Sequence, residues 1–273
     1  MAKLQSVPRL AGRNRAAPPA QPGLPDPKSR GPFRPFTSDP GWSEAWWWLW
    51  VPILCGALVL LAGGFAPRLY SDWIIPEGFG ILEFSQFLMM IAAFVIAVRL
   101  LFHPFVRERP FVLAVTIIAA LSSFYIAGEE MSWGQHFFHW NTPEYWTKIN
   151  LEGETNLHKA YNIFDKAPRV TLELAVLIGG LLIPLAAAFK PQIRASRLSL
   201  FFPPSALVPI AVCALIFKFL DELLAKEAFR AFERPSEGIE FYLYFFILAF
   251  LIVFERRIRE LETESRRGKR AKG

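Results

Sequence analysis

WWWLWVPILCGALVLLAGGF, residues 46–65, carries no charged side chain over its whole length. As a helix rising ~1.5 Å per residue it reaches ~30 Å, the thickness of a bilayer's hydrocarbon core. Trp46, Trp47, Trp48 and Trp50 open it. Tryptophan favours the membrane–water boundary, where an apolar ring can keep a polar edge wet. A long polar, Pro-rich stretch precedes the run, which is also longer than the ~7–15 residues of a signal h-region. It therefore reads as a membrane span and not as a cleaved signal.

Five more runs of this kind follow, at about Gly80–Phe102, Phe111–Ala127, Val170–Phe189, Pro204–Leu220 and Ile239–Phe254. The chain is 53% apolar, and its charges fall between the runs. The expected fold is all-α, with about six transmembrane helices filling residues 41–257 and a long loop over 128–169. Residues 1–40, rich in Pro, Arg and Gly, cannot propagate a helix and read as a disordered basic tail. Residues 258–273 read as a second basic tail.

Lys and Arg set the orientation. They gather in the N-terminal tail, beside Arg107 and Arg109, at Lys190, Arg194 and Arg197, and in the C-terminal tail. With six spans all four groups fall on one side, so both termini are expected in the cytoplasm. The net charge of +6 thus reflects membrane orientation, and no nucleic-acid partner is expected. Cys55 and Cys213 both lie within apolar runs and give neither a disulfide framework nor a thiolate metal site.

The opposite, outer side receives 66–79, 128–169 and 221–238. The densest polar stretch is AGEEMSWGQHFFHW, from Ala127 to Trp140. If the third helix continued through it, Glu129, Ser132, His136 and His139 would share one face. His136 and His139 with a carboxylate could bind a divalent metal, although H-x-x-H alone is a weak signal. The competing reading is an interfacial segment with aromatics down and histidines up. Further on, Glu154, His158 and Asn162 would form a polar stripe on a helix, or else a solvated loop with capping residues. Glu83 begins the second run. An ionisable group at membrane depth costs ~2.5–3.5 kcal/mol at a helix centre, so it tends to face a protein interior. Glu173 and Glu240 hold similar positions, which points to a shared polar cavity.

These residues resemble a family of uncharacterised bacterial multi-pass inner-membrane proteins, marked by a G-E-E-x-S-W-G-Q segment and then E-x-N-L-H. The matching residues are Gly128, Glu129, Glu130, Ser132, Trp133, Gly134 and Gln135, then Glu154, Asn156, Leu157 and His158. The resemblance implies a bacterial inner-membrane protein whose site faces the periplasm, and it brings no activity with it. It moves weight from His136 and His139 towards Glu129, Glu130, Gln135, Glu154 and His158, with Glu83 beneath them. If a divalent metal is bound, Glu130, Glu154 and His158 are its expected ligands.

Three functions remain open at this level. One is an assembly or structural partner of other membrane subunits. Another is a membrane-embedded enzyme acting on a lipid or lipid-linked substrate. The third is a transporter or ion pathway. No P-loop, dinucleotide fingerprint or nucleophile elbow is present.

Overall fold

The computed structural model describes residues 36–150, 153–157, 162–193, 196, 198–224 and 234–270. His158 lies outside the described residues, as do residues 1–35 of the expected N-terminal tail. Six helices are long and apolar enough to cross a membrane. They are α1 (Trp46–Phe65), α2 (Ile81–Leu101), α3 (Pro110–Glu130), α4 (Ala167–Phe189), α5 (Ser199–Leu223) and α6 (Ser236–Arg270). No strand occurs among the described residues.

α6 is the axis of the bundle. Ile239, Tyr242, Leu243, Phe246, Ala249, Val253, Phe254 and Ile258 are buried along it at the three- and four-residue spacing that makes one helix face. It packs against α1, α2, α4 and α5. α2 and α6 run parallel. Arg234 meets Glu83 at one end (2.8 Å), and Arg99 meets Glu255 towards the other (3.3 Å). Tyr242 Oη donates to the carbonyl of Pro52 (2.7 Å), tying α6 to α1. Large apolar side chains such as Leu58, Ile118, Leu121 and Phe219 point outward, as a lipid-facing surface requires.

Both expected tails are too long. Residues 36–40 dock on α6. Thr37 and Ser38 donate to Glu260, and Asp39 accepts from Arg257 at 2.6 and 2.8 Å. Arg257 is 3% exposed, and its Nη1 also donates to the carbonyls of Ser199, Leu200 and Phe202. Residues 258–270 are no separate tail but the continuation of α6. Ile258 and Leu261 are buried there, while Arg259–Glu255 and Arg266–Glu262 pair one turn apart on the exposed side.

Candidate functional site

Five of the six long helices bring polar ends to one side of the bundle, and the acidic residues form two kinds of network there. The first begins where α3 stops. The shared face of Glu129, Ser132, His136 and His139 required the helix to continue past Met131, but Ser132, Trp133 and Gly134 take φ of 44°, 55° and 100° in turn. The left-handed region is costly for Ser and Trp, so something must hold them there. Ser132 Oγ donates to Glu154 Oε2, and Asn156 Nδ2 donates to both Ser132 Oγ (3.0 Å) and Glu154 Oε2 (2.9 Å). Gln135 Oε1 accepts from the Thr155 amide (2.8 Å), and Gln135 Nε2 donates to Thr142 Oγ1 (2.7 Å). Glu129 is buried, with one oxygen taken by Trp133 Nε1 (2.6 Å) and the other by the Leu157 amide (2.7 Å).

This break removes the expected face of Glu129, Ser132, His136 and His139. His136 still reaches Ser132 and Glu154, at 3.2 and 3.3 Å, but it does so across the turn. His139 is exposed and apart from them. Glu154 lies in non-helical chain, so no helical stripe starts from it. Ser132, His136 and Glu154 are the residue types of a hydrolytic triad, yet one imidazole nitrogen, Nε2, faces both partners. A triad needs the two ring nitrogens to divide that work. Ser132 is also fully buried. The cluster is a satisfied brace that folds residues 132–157 back onto α3.

The second network lies on the helix ends. Glu130 Oε1 accepts from Tyr244 Oη (3.0 Å). Arg169 points one nitrogen at each of three carboxylates: Nε to Glu173 (3.3 Å), Nη1 to Glu240 (3.4 Å) and Nη2 to Asp221 (3.7 Å). Lys218 closes the edge against Glu173 and Glu222, at 3.6 and 3.5 Å. Between α3, α4 and α6 lies a partly open cavity of about 50 Å³. Tyr125, Glu130, Arg169, Glu240 and Tyr244 form its polar side, and Ile126, Leu172 and Leu243 its apolar side. The Tyr125 hydroxyl is buried without a hydrogen-bond partner among the described residues.

Glu83 sits next to this chamber. It is 7% exposed and takes a hydrogen bond from the Gly78 amide as well as its pairing with Arg234. Arg234 also holds Glu237 (2.7 Å) and the carbonyl of Ile75 (3.0 Å). Burial alone would lower the pKa of Arg234, but Glu237 and Glu83 outweigh it and hold the guanidinium above its ordinary value. Gly78 has φ 81°, and a Cβ there would lie 2.5 Å from His136 Nδ1, so the position admits only glycine. Glu240, Glu237 and Glu83 are the carboxylates whose charge acts on Glu130, which joins the two helix-end groups electrostatically.

The expected site residues therefore separate. Glu129, Gln135 and Glu154 belong to the brace, Glu130 to the chamber and Glu83 to the cluster beside it. Glu130 and Glu154, expected to share a metal, sit in different networks. No group of three or more His, Cys, Asp or Glu side chains suited to a metal comes together among the described residues. Sequence reasoning missed Arg169, Tyr125 and Tyr244. Arg169 carried a signal, being a basic residue at the acidic end of an apolar run. Tyr244 stands four residues after Glu240, on the same helix face. No family model, curated protein or solved structure matches this chain.

Proposed function

We propose that this chain is a bacterial inner-membrane enzyme whose helix-end chamber takes the polar head of a lipid or lipid-linked substrate. Glu130 serves as the acid–base group and Tyr244 as its hydrogen-bond partner. The observation that carries this reading is the contrast between the two networks. The brace has its side chains tied to one another and to backbone. The chamber keeps a buried hydroxyl, Tyr125, with no partner among the described residues, together with a half-buried carboxylate and an empty volume sufficient for about three waters. An unsatisfied buried hydroxyl costs ~1–3 kcal/mol, a deficit that a bound polar group would remove. The apolar wall of Ile126, Leu172 and Leu243 suits the chain end of an amphiphile. The Lys/Arg bias supports a chamber facing the periplasm with both termini in the cytoplasm.

The test compares lipid extracts, by mass spectrometry, from cells expressing wild type, Glu130→Gln or the loop control Glu144→Gln. A head-group change seen with wild type and Glu144→Gln is expected to vanish with Glu130→Gln. The proposal fails if inserted, folded Glu130→Gln protein gives the wild-type profile. A second reading, an assembly partner of other membrane subunits, is favoured by the brace. That network fixes the shape of a long loop that presents exposed Phe138, Trp140 and Tyr145.

A further inference from the structure

The chamber's chemistry narrows what it can hold, on the footing that it is the substrate site proposed above. We propose that it selects a protonated primary amine, carried on a lipid head group or as a free amine, and rejects anionic head groups.

The first argument is the state of Arg169. A guanidinium recognises phosphate by presenting a free fork of donors. Here each of its three nitrogens already faces a carboxylate, from Glu240, Glu173 and Asp221. A phosphate would have to approach this guanidinium past three carboxylates. The second argument is charge. Glu130 and Glu240 line the cavity with Arg169, and Glu173, Asp221 and Glu222 stand around Arg169 and Lys218, so carboxylates outnumber cations at this end. Glu237 and Glu83 also act on Glu130, with Arg234 paired to both of them. An entering anion would meet repulsion strengthened by the surrounding apolar walls, whereas a cation would complete the balance.

The third argument separates an amine from other cations. Tyr125 offers a buried hydroxyl oxygen with no partner among the described residues, and Glu130 and Tyr244 offer further oxygens beside it. An ammonium group supplies three N–H donors in a volume near that of a water molecule, to a cavity whose polar lining is rich in oxygen acceptors. A quaternary ammonium has no N–H to give, and its three methyl groups add bulk to a cavity of about 50 Å³. The apolar side formed by Ile126, Leu172 and Leu243 leaves room for the rest of the molecule to run towards lipid.

The full chain, purified in a neutral detergent, is heated with added phosphatidylethanolamine, phosphatidylcholine, phosphatidylglycerol or free ethanolamine, and unfolding is followed. At 100-fold excess over Kd, phosphatidylethanolamine is expected to raise Tm by roughly 5 °C, with little effect from the choline and glycerol lipids. Glu130→Gln and Tyr125→Phe should each reduce that shift, and Glu144→Gln should keep it. Tyr125→Phe removes one oxygen, so it remains informative if Glu130→Gln does not fold. Free ethanolamine matching the lipid supports the amine and assigns the site to a soluble one. A shift from phosphatidylglycerol as large as that from phosphatidylethanolamine, lost in Glu130→Gln, overturns the amine inference and leaves the lipid-head reading standing. If no ligand distinguishes wild type from both variants, the chamber reading itself falls.

Discussion

Arg257 and Lys148 both make short ion pairs, and their surroundings decide what those pairs contribute. Lys148 meets Glu144 at 2.6 Å, but the two side chains are 67% and 82% exposed. Water and side-chain entropy reduce such a pair to ~0–1 kcal/mol. Arg257 meets Asp39 at the same distance while 3% exposed. Neutralising the carboxylate in Asp39→Asn leaves a buried guanidinium short of its counter-charge, with an expected loss of ~3–5 kcal/mol. Thermal unfolding in detergent, with Glu144→Gln alongside, checks the contrast. Equal stabilities of the two variants would mean that the segment from Phe36 to Pro40 does not dock as described.

At the scale of elements, α6 packs so closely near its start that Gly238 is fixed. A Cβ on Gly238 would lie 2.1 Å from the Phe217 ring of α5, whereas one on Gly64 of α1 would meet nothing within 4 Å. Gly238→Ala is expected to cost ~1–3 kcal/mol by overpacking. Gly64→Ala should be neutral or slightly stabilising, because alanine is the better helix former. Unfolding midpoints of the two variants decide this, and similar midpoints would contradict the α5–α6 contact.

The helices were legible because apolar runs of bilayer length are a one-dimensional signal. Their ends were less so. α3 stops at Ser132 because Glu154 and Asn156, more than twenty residues on, hold Ser132 in place, and no local propensity announces that. The end of α6 was hidden for the opposite reason. Its charges suggested a solvated tail, while the buried Ile258 and Leu261 show that the helix keeps an apolar face. The site was half legible. Carboxylates at membrane depth marked Glu83, Glu173 and Glu240, and the G-E-E segment marked Glu130, but the sequence could not show that Glu154 belongs with Ser132 or that Arg169 reaches α6.

For the molecule as a whole, charge is distributed end to end. Arg99, Arg107, Arg109, Arg256 and Arg257 lie at one end, and the carboxylates around Glu83, Glu130 and Glu240 lie at the other. Under the proposed orientation, a membrane-impermeant maleimide applied to intact spheroplasts should label Thr147→Cys. It should reach Thr37→Cys only after permeabilisation, with Cys55 and Cys213 replaced by Ala in both cases. Labelling in the reverse order would invert the chain and place the chamber inside the cell.

The contact between Asp39 and Arg257 also bears on how the molecule is made. The two residues are separated by 218 positions, so the segment ahead of α1 has nowhere to dock until the last helix exists. At ribosomal speeds of about 5–20 residues per second, that interval is roughly 10–40 s. During it Asp39 and the carbonyls of Ser199, Leu200 and Phe202 wait for one side chain. Arrival of Arg257 closes the first and last parts of the chain on each other in a single event. A ribosome that stopped before α6 would leave five helices in place with that end of the bundle unfastened, a distinct product for quality control to recognise.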